Sequence, residues 1–360
     1  MLRLSQISVF QFKNYQEASF RFTERITGIY GKNGAGKTNL LDAIHYCCFT
    51  RSYFTRTDQN NVRQGQQGFR IEGFFNYNGV PEKAVCVVRE TGKKEFSVND
   101  SAYDRFSSHI GRYPCVVIAP DDAELITGDS RERRNYLDTL ISQMDAVFLQ
   151  DLIRYRKLVD QRNSLLKSMA ETSRPDYSLL DVIDEQMSGP GDRIFSRRRD
   201  FTKELLIQIS QLYQSISKQP EEVQLSYESS LFHQTMKEVL AAGRSKDIAA
   251  QRTLSGVHRD EIDMQLNGQP FRMIASQGQR KSLLFAMKLA ELEVLQKEKG
   301  FPPLLLLDDV FEKLDEDRIM NLLRKVCVEN KGQVFITDTH EERLNRHLKA
   351  LGCEFQLLKL

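Results

Sequence analysis

The sequence predicts an α/β protein in which a head is interrupted by an inserted helical domain. Short, β-rich apolar segments recur near both ends of the 360-residue chain, as at residues 26–30 and 304–308. Between them, apolar residues recur at intervals of three and four, which is the period of one helix face. We therefore expect the N-terminal part of a head at 1–125, a helical arm at 126–250 and the C-terminal part of the head at 251–360.

The arm is expected to contain several separate helices. Ser130 is a candidate N-cap for a helix that runs to about residue 169, and residues 177–187 continue the helical period. The run Ser-Gly-Pro-Gly at residues 188–191 is expected to break the helix, which resumes at residues 194–216. No heptad pattern is sustained, so we do not expect a long coiled coil.

Composition indicates an ordinary globular protein, with 40% hydrophobic and 28% charged residues. No apolar run approaches the length of a membrane span, and the first residues lack a signal-peptide pattern, so we expect a cytoplasmic protein without membrane association. The six cysteines show no metal-ligand spacing and are expected to be small buried hydrophobes. The net charge of +2 does not by itself indicate a nucleic-acid partner.

The first chemical motif, at residues 31–38, matches G-x-x-x-x-G-K-[ST] directly after a predicted strand. Its glycines allow backbone N–H groups to surround phosphate oxygens, and the following helix adds its positive N-terminal dipole. Lys37 would bridge the β- and γ-phosphates of ATP, and the Thr38 hydroxyl would bind Mg²⁺. The predicted nucleotide-binding residues of this segment are Gly31, Lys32, Asn33, Gly34, Ala35, Gly36, Lys37, Thr38 and Asn39.

The second motif is the apolar strand that ends at Asp308 and Asp309. A buried parallel strand places a terminal carboxylate at the same sheet edge as the phosphate loop. Asp308 would hold Mg²⁺ through water and Asp309 would polarise the attacking water, with Lys37 as the third catalytic residue. The alternative is a core strand that runs into an acidic turn, and the phosphate loop disfavours it.

The third motif, Ser276-Gln277-Gly278-Gln279, precedes an amphipathic helix and resembles the L-S-G-G-Q signature of ABC ATPases. A serine and a glycine backbone at a helix N-terminus could bind a γ-phosphate, while a simple helix cap is the alternative. The segment that ends at Asp315 resembles the D-loop of the same class. This resemblance implies an ABC-type ATPase head, a mixed sheet with an antiparallel subsheet, to which an α-helical arm domain is added.

Motifs along the whole chain resemble those of the RecF family of bacterial DNA replication and repair proteins, which is related to the SMC proteins. The matching segments are Phe12-Lys13-Asn14-Tyr15, the phosphate loop, Arg51-Ser52-Tyr53, Gly128, Arg133-Arg134-Asn135-Tyr136-Leu137-Asp138, Gln161-Arg162-Asn163-Ser164-Leu165-Leu166, Ser255-Gly256-Val257-His258-Arg259-Asp260 and residues 276–280.

The resemblance implies that two chains sandwich ATP, each molecule held by Lys37 and Asp308 of one chain and Ser276 of its twin. The Asp308-Asp309 pair departs from the Asp-Glu of most ABC ATPases, so we expect slow turnover suited to a switch. His340 is a candidate switch histidine, although it is displaced from the usual place. The Q-loop glutamine is not identified.

The resemblance also implies binding of double-stranded DNA and single-strand/double-strand junctions, and loading of recombinase at gaps with RecO and RecR. Basic clusters in the arm, such as those at 131–134, 154–157 and 197–199, suit phosphate contacts. However, residues 126–200 contain 13 basic and 13 acidic residues, so the residues alone favour a solvated helix surface, and the expectation of DNA binding rests mainly on the resemblance. An ATP-driven transporter subunit and a scaffold without turnover are the competing interpretations.

Overall fold

The computed structural model describes residues 1–172, 176–217, 221–313 and 316–360. Contacts divide the chain into two compact units. We call Met1–Asp122 together with Met287–Leu360 the head unit, and Ala123–Ala286 the arm unit. Among the described residues, no helix has both the length and the apolarity needed to cross a bilayer.

Both units contain strands and helices. The strands are β1 (Leu2–Phe12), β2 (Tyr15–Arg21), β3 (Ile26–Tyr30), β4 (Phe69–Tyr77), β5 (Val80–Val88), β6 (Lys94–Val98), β7 (Ser101–Ala102), β8 (Cys115–Ile118), β9 (Val223–Glu228), β10 (Glu261–Leu266), β11 (Gln269–Pro270), β12 (Leu304–Leu307), β13 (Val334–Asp338) and β14 (Gln356–Lys359). The helices are α1 (Lys37–Phe49), α2 (Glu124–Thr127), α3 (Ser130–Met144), α4 (Ala146–Thr172), α5 (Tyr177–Ser217), α6 (Met236–Ala250), α7 (Phe271–Ile274), α8 (Gln277–Lys299), α9 (Glu316–Leu323) and α10 (Glu341–Ala350).

The head unit contains two sheets. A parallel sheet has the strand order β14-β3-β13-β12-β8, and an antiparallel sheet has the order β2-β1-β4-β5-β6-β7. Every residue of β12 is buried, as expected for a strand covered on both faces. Because the strands of the first sheet are parallel, the residues that follow β3, β12 and β13 meet at one edge. The predicted mixed architecture with an antiparallel subsheet is therefore confirmed.

The antiparallel sheet contains a tight hairpin turn between β6 and β7. Asn99 and Asp100 join β6 to β7 with φ angles of +49° and +63°. Asparagine and aspartate tolerate this left-handed conformation in tight hairpin turns. Of the six cysteines, five are buried and Cys353 is partly exposed, in line with their expected packing role.

The helix expected from Ser130 to about residue 169 is divided at Asp145 into α3 and α4, and the arm unit differs from the sequence prediction in three further respects. Its first long helix, α3, is capped by Asp129 rather than Ser130, because the Asp129 side chain accepts a hydrogen bond from the Arg131 amide. The second difference is β9, a strand in a stretch expected to be helical. It pairs antiparallel with β10, and this pairing places residues 251–286, which the sequence assigned to the head, within the arm unit.

The third difference is that α5 continues through the expected break. Pro190 lies inside the helix, where a proline costs about 3 kcal/mol relative to alanine. The neighbouring turns are firmly packed: Met187 and Ile194 are fully buried, and the Ser188 hydroxyl donates to the Asp184 carbonyl at 2.8 Å. Burial on both sides of the proline therefore outweighs the local preference to stop.

Gly191 allows α5 and α6 to approach closely. A Cβ atom added at Gly191 would lie 2.7 Å from Cγ of the buried Met236 at the start of α6. At Gly189, in the same helix, the nearest atom to an added Cβ is the flexible end of Arg193, at 3.3 Å. The close packing of α5 against α6 therefore requires a glycine at position 191 but not at position 189.

We predict that Gly191→Ala lowers the free energy of unfolding by about 1–2 kcal/mol, because the added methyl group overpacks the contact with Met236. Gly189→Ala is the matched control and should be neutral or stabilising by up to about 1 kcal/mol, as alanine is the better helix former. Urea unfolding followed by circular dichroism measures both. Equal effects of the two substitutions would contradict the proposed packing role.

Candidate nucleotide-binding site

The phosphate loop connects β3 to α1 in the head unit, as its motif predicts. Gly34 and Gly36 have φ angles of +82° and +112°, which glycine adopts without strain. No side chain caps the N-terminus of α1 and no acidic residue lies in its first turn. The amides of this turn, together with the helix dipole, therefore favour an anion.

Lys37 is buried within the loop, with 5% of its surface exposed. Its ammonium group donates to the carbonyl oxygens of Gly31 at 3.0 Å and Lys32 at 3.4 Å. A cation held among backbone groups beside an uncapped helix N-terminus fits the phosphates of a nucleotide. The loop thus has both the shape and the charge that its sequence motif indicates.

Asp308 joins the phosphate loop to two strand ends. It follows β12, is 3% exposed, and accepts hydrogen bonds from the Thr38 hydroxyl at 2.8 Å and the Thr337 hydroxyl at 2.7 Å. Burial raises the pKa of Asp308, while these hydroxyls and the nearby Lys37 act in the opposite direction. A hydroxyl oxygen beside a carboxylate oxygen is a donor set that suits Mg²⁺, so Thr38 and Asp308 fit the predicted metal site.

Asp309 is more exposed than Asp308 and has a left-handed backbone with φ of +44°. Its amide donates to the Thr337 hydroxyl at 2.9 Å. Thr337 therefore contacts both aspartates, with its hydroxyl donating to one and accepting from the other. Sequence reasoning missed this residue, since only the pairing of β12 with β13 brings it here.

Two further residues, to which the sequence analysis assigned no function, donate hydrogen bonds to the phosphate loop. The Tyr15 hydroxyl donates to the Gly36 carbonyl at 3.0 Å, and the Asn14 amide donates to the Ala35 carbonyl at 3.2 Å. Asn39, predicted to contact nucleotide, donates to Asn14 at 2.7 Å. The Phe12-Lys13-Asn14-Tyr15 motif signalled these residues, although the sequence alone assigned them no function.

Asp42 of α1 links two other segments of the family pattern. This fully buried carboxylate pairs with Lys13 at 2.5 Å and accepts from the Ser52 hydroxyl at 2.6 Å and the Tyr53 amide at 2.7 Å. The segments on either side of the phosphate loop are therefore anchored to the same turn of α1.

The signature residues lie in the arm unit, at the start of α8. The Ser276 hydroxyl accepts a hydrogen bond from the backbone N–H of Gln279 at 3.2 Å. The Gln279 side-chain oxygen accepts a hydrogen bond from the backbone N–H of Ser276 at 2.6 Å. This reciprocal pair of hydrogen bonds is a capping box. The hydrogen bonds of Ser276 therefore agree with the alternative interpretation, a simple helix cap. Ser276 and Gln277 are nevertheless exposed, which leaves this turn open to a second molecule.

Two other predicted site residues are less informative. His340 precedes α10 with 72% of its side chain exposed, and its ring contacts the Thr339 hydroxyl at 2.7 Å. The buried carboxylate beside it, Asp338, pairs with Arg343 at 2.6 Å. A switch function for His340 stays a prediction, and Asp315 lies outside the described residues.

Two of the nine basic residues in the clusters of the arm lie in its interior. Arg198 is 1% exposed and pairs with Asp138 and Asp260, each at 2.8 Å, and the nearly buried Arg133 pairs with Glu261 at 2.6 Å. Two of the arginines considered for phosphate contacts are thus unable to reach DNA. Arg131, Arg154 and Lys157 of the same clusters are exposed.

His258, in the segment before the signature, is partly buried. His258 contacts the Tyr155 hydroxyl at 2.9 Å and the Thr253 carbonyl at 3.2 Å. Burial lowers the pKa of His258 to about 4, so the ring is neutral at physiological pH.

The fold and the site together define a P-loop ATPase of the ABC/SMC class. The family model of the RecF/RecN/SMC N terminal domain matches residues 3–357. The chain is 39% identical to the DNA replication and repair protein RecF of Flavobacterium johnsoniae over 359 residues, with 100% of both chains covered. It is also 39% identical to RecF of Bacteroides thetaiotaomicron over 358 residues, covering 99% of this chain and 96% of the relative.

Solved structures agree with these relatives. The recombination mediator protein RecF-ATPrS in the RecFOR pathway superposes with a TM-score of 0.87 at 31% identity, covering 94% of this chain and 93% of that one. An Smc head domain from Pyrococcus furiosus, at 15% identity and a TM-score of 0.55, shares the fold alone, covering 96% of this chain and 92% of that one. The chain belongs to the RecF family, which decides against the transporter interpretation.

We predict that Tyr15→Phe weakens ATP binding about two- to tenfold, because one hydrogen bond that supports the phosphate loop is lost. Isothermal titration calorimetry with the full chain measures the affinity. Tyr177→Phe, which alters a tyrosine that is 51% exposed on α5, is the matched control and should leave the affinity unchanged. An unaltered Kd for Tyr15→Phe would show that the loop keeps its shape without this contact.

Proposed function

We propose that the chain is an ATP-dependent DNA-binding protein of recombinational gap repair and replication, acting in the cytoplasm. ATP binding drives formation of a dimer, and slow hydrolysis returns it to monomers. The dimer binds double-stranded DNA and single-strand/double-strand junctions, and helps to load recombinase together with RecO and RecR.

One observation carries the nucleotide part of this proposal: Asp308 is hydrogen-bonded to both Thr38 and Thr337. This contact joins the phosphate loop to the strand whose aspartates would act on the γ-phosphate. Thr38 and Asp308 would hold Mg²⁺, which when bound neutralises phosphate charge. Lys37 would bind the β- and γ-phosphates, and Asp309 would orient water and accept its proton.

Dimerisation is supported by the exposed signature turn. In the ABC class, this turn contacts nucleotide bound to the other subunit. Ser276 and Gln277 are exposed at the N-terminus of a 23-residue helix, where amides favour an anion. The γ-phosphate would then provide binding energy that exists only in the dimer, so ATP shifts the monomer–dimer equilibrium.

The DNA and partner functions rest on membership of the RecF family and on its relatives. RecF-ATP, solved as a recombination mediator protein in the RecFOR pathway, has a TM-score of 0.87 to this chain. Exposed cations of the arm, such as Arg154 and Lys157, remain available for phosphate contacts. Such contacts release counterions, so affinity for DNA should fall steeply with salt.

We predict that Ser276→Arg abolishes ATP-driven dimers while the ATP affinity of the monomer changes by less than about threefold. The added side chain would block the twin's γ-phosphate, while the residues of the chain's own phosphate loop are unchanged. Light scattering after size exclusion, with and without ATP and gapped duplex, measures the dimer.

Thr235→Ala is the matched control for Ser276→Arg, because Thr235 forms the same kind of capping box with Glu238 at the start of α6. Both substitutions remove a helix cap at a cost of about 1 kcal/mol, yet the control should still dimerise with ATP. Lost ATP affinity with normal dimerisation in Ser276→Arg would refute the shared site.

We predict that Asp309→Asn lowers ATP hydrolysis about 100-fold or more, because the group that accepts the proton of water is removed. ATP-dependent dimers and binding of gapped duplex should persist and outlast those of the parent. Phosphate release and fluorescence anisotropy measure these properties, and Asp104→Asn, at an exposed head residue, is the control. Unchanged hydrolysis would favour a scaffold without turnover, and binding indifferent to ATP and salt would exclude the gated clamp.

A further inference from the structure

An open groove with a volume of about 520 Å³ lies on the surface of the arm unit, between α5 and β9. We call it the α5–β9 groove. One wall is a face of α5 that includes Leu206 and Ile207, and the other wall is β9 with Phe232 beyond its end. Every residue that lines this groove belongs to the arm unit, whereas the phosphate loop belongs to the head unit.

The strand that forms one wall has a free edge. The sheet of the arm has the order β11-β10-β9, so β9 pairs with β10 on one side only. In an antiparallel strand, alternate residues direct their N–H and C=O groups away from the partner strand. Among the described parts of the chain, no backbone–backbone hydrogen bond from another element reaches this outer edge. An extended peptide can use such groups by adding a strand.

The groove exposes large apolar side chains. Ile207 is 61% exposed and Phe232 is 44% exposed, although both belong to residue types that are usually buried. Leu206 and Tyr227 form its floor and are buried. This apolar surface beside a free strand edge favours a peptide with apolar side chains at alternate positions.

The charged side chains that line the groove are basic. Arg199 and Lys203 line the groove, and no carboxylate lines it among the residues that the structure describes. Both cations pair with the same carboxylate, Asp200, at 3.0 Å and 3.1 Å. Since one aspartate is shared between two cations, this end of the groove keeps a net positive charge and favours an acidic side chain in a ligand.

We propose that the α5–β9 groove binds an extended, acidic segment of a partner protein, which adds a strand to the edge of β9. Apolar side chains of that segment pack against Ile207 and Phe232, and its carboxylate pairs with Lys203 and Arg199. A DNA backbone has no N–H groups to match the strand edge and gains nothing from the apolar wall. The groove is distinct from the nucleotide site, so this binding should not require ATP.

The test is a random 12-residue phage-displayed peptide library, selected on the full chain without ATP and counter-selected on Ile207→Asp. Ile207 is exposed, so the substitution should not impair folding. The expected result is a set of peptides that alternate apolar and polar residues, carry aspartate or glutamate, and bind the parent but not Ile207→Asp.

A synthetic peptide from that set then tests each contact by fluorescence anisotropy. Lys203→Glu should weaken binding about fivefold, and methylation of alternate peptide amides should weaken it about tenfold or more, because strand hydrogen bonds are lost. Lys246→Glu, at an exposed lysine of α6, is the matched control and should bind as the parent does.

The proposal is overturned if no selected peptide discriminates against Ile207→Asp, or if amide methylation has no effect. It is also overturned if Ile207→Asp abolishes self-association of the parent measured without ATP, which would make a second copy the occupant. Gapped duplex that displaces the peptide and binds more weakly to Lys203→Glu than to Lys246→Glu would assign the groove to DNA instead.

Discussion

The arrangement of the nucleotide site depends on one buried carboxylate that is shared by two hydroxyls. Asp308 is 3% exposed, and an ionised group so buried would cost several kcal/mol without hydrogen-bond donors. Thr38 of α1 and Thr337 of β13 supply those donors, one to each oxygen of the carboxylate. The same contacts therefore stabilise the sheet edge and position the residues that would bind Mg²⁺ and polarise water.

This arrangement follows from the register of the parallel sheet. Leu307 pairs with Ile336, so the next residues, Asp308 and Thr337, emerge side by side at the carboxyl edge. A shift of one residue would direct Thr337 to the other face and remove a donor from the buried carboxylate. The requirement to satisfy Asp308 thus acts against misregistered pairing of β12 and β13.

The sequence predicted those parts of the site that are encoded locally. The glycines, Lys37 and Thr38 form one continuous motif, and the strand before Asp308 is recognisable from its apolar run. Thr337, Asn14 and Tyr15 were not predicted as functional, because each reaches the site through contacts with residues far away in the chain. Local spacing has no information about which strand pairs with which, so these contacts required the fold.

The arm was harder to predict for a related reason. Whether an arginine faces solvent or an internal carboxylate depends on partners that are remote in sequence: Arg198 pairs with Asp138 and Asp260. In the sequence, a cluster of basic residues with helical spacing has the same pattern whether its side chains face solvent or an internal carboxylate. Likewise, the proline and glycines of α5 would favour a break in an isolated helix, and burial of Met187 and Ile194 on either side of the proline explains why the helix continues.

The Asp308-Asp309 pair shows how the backbone limits the chemistry at this edge. The turn after β12 gives residue 309 a φ angle of +44°, a conformation in which aspartate is several-fold enriched over most residues. The Thr337 hydroxyl accepts from the Asp309 amide while donating to Asp308, so it helps to hold that turn. A glutamate would reach further toward water but suits this backbone less well. The shorter side chain of aspartate thus fits the turn that presents it. We therefore expect slow ATP hydrolysis to result from the geometry of this turn and not from the loss of a catalytic group.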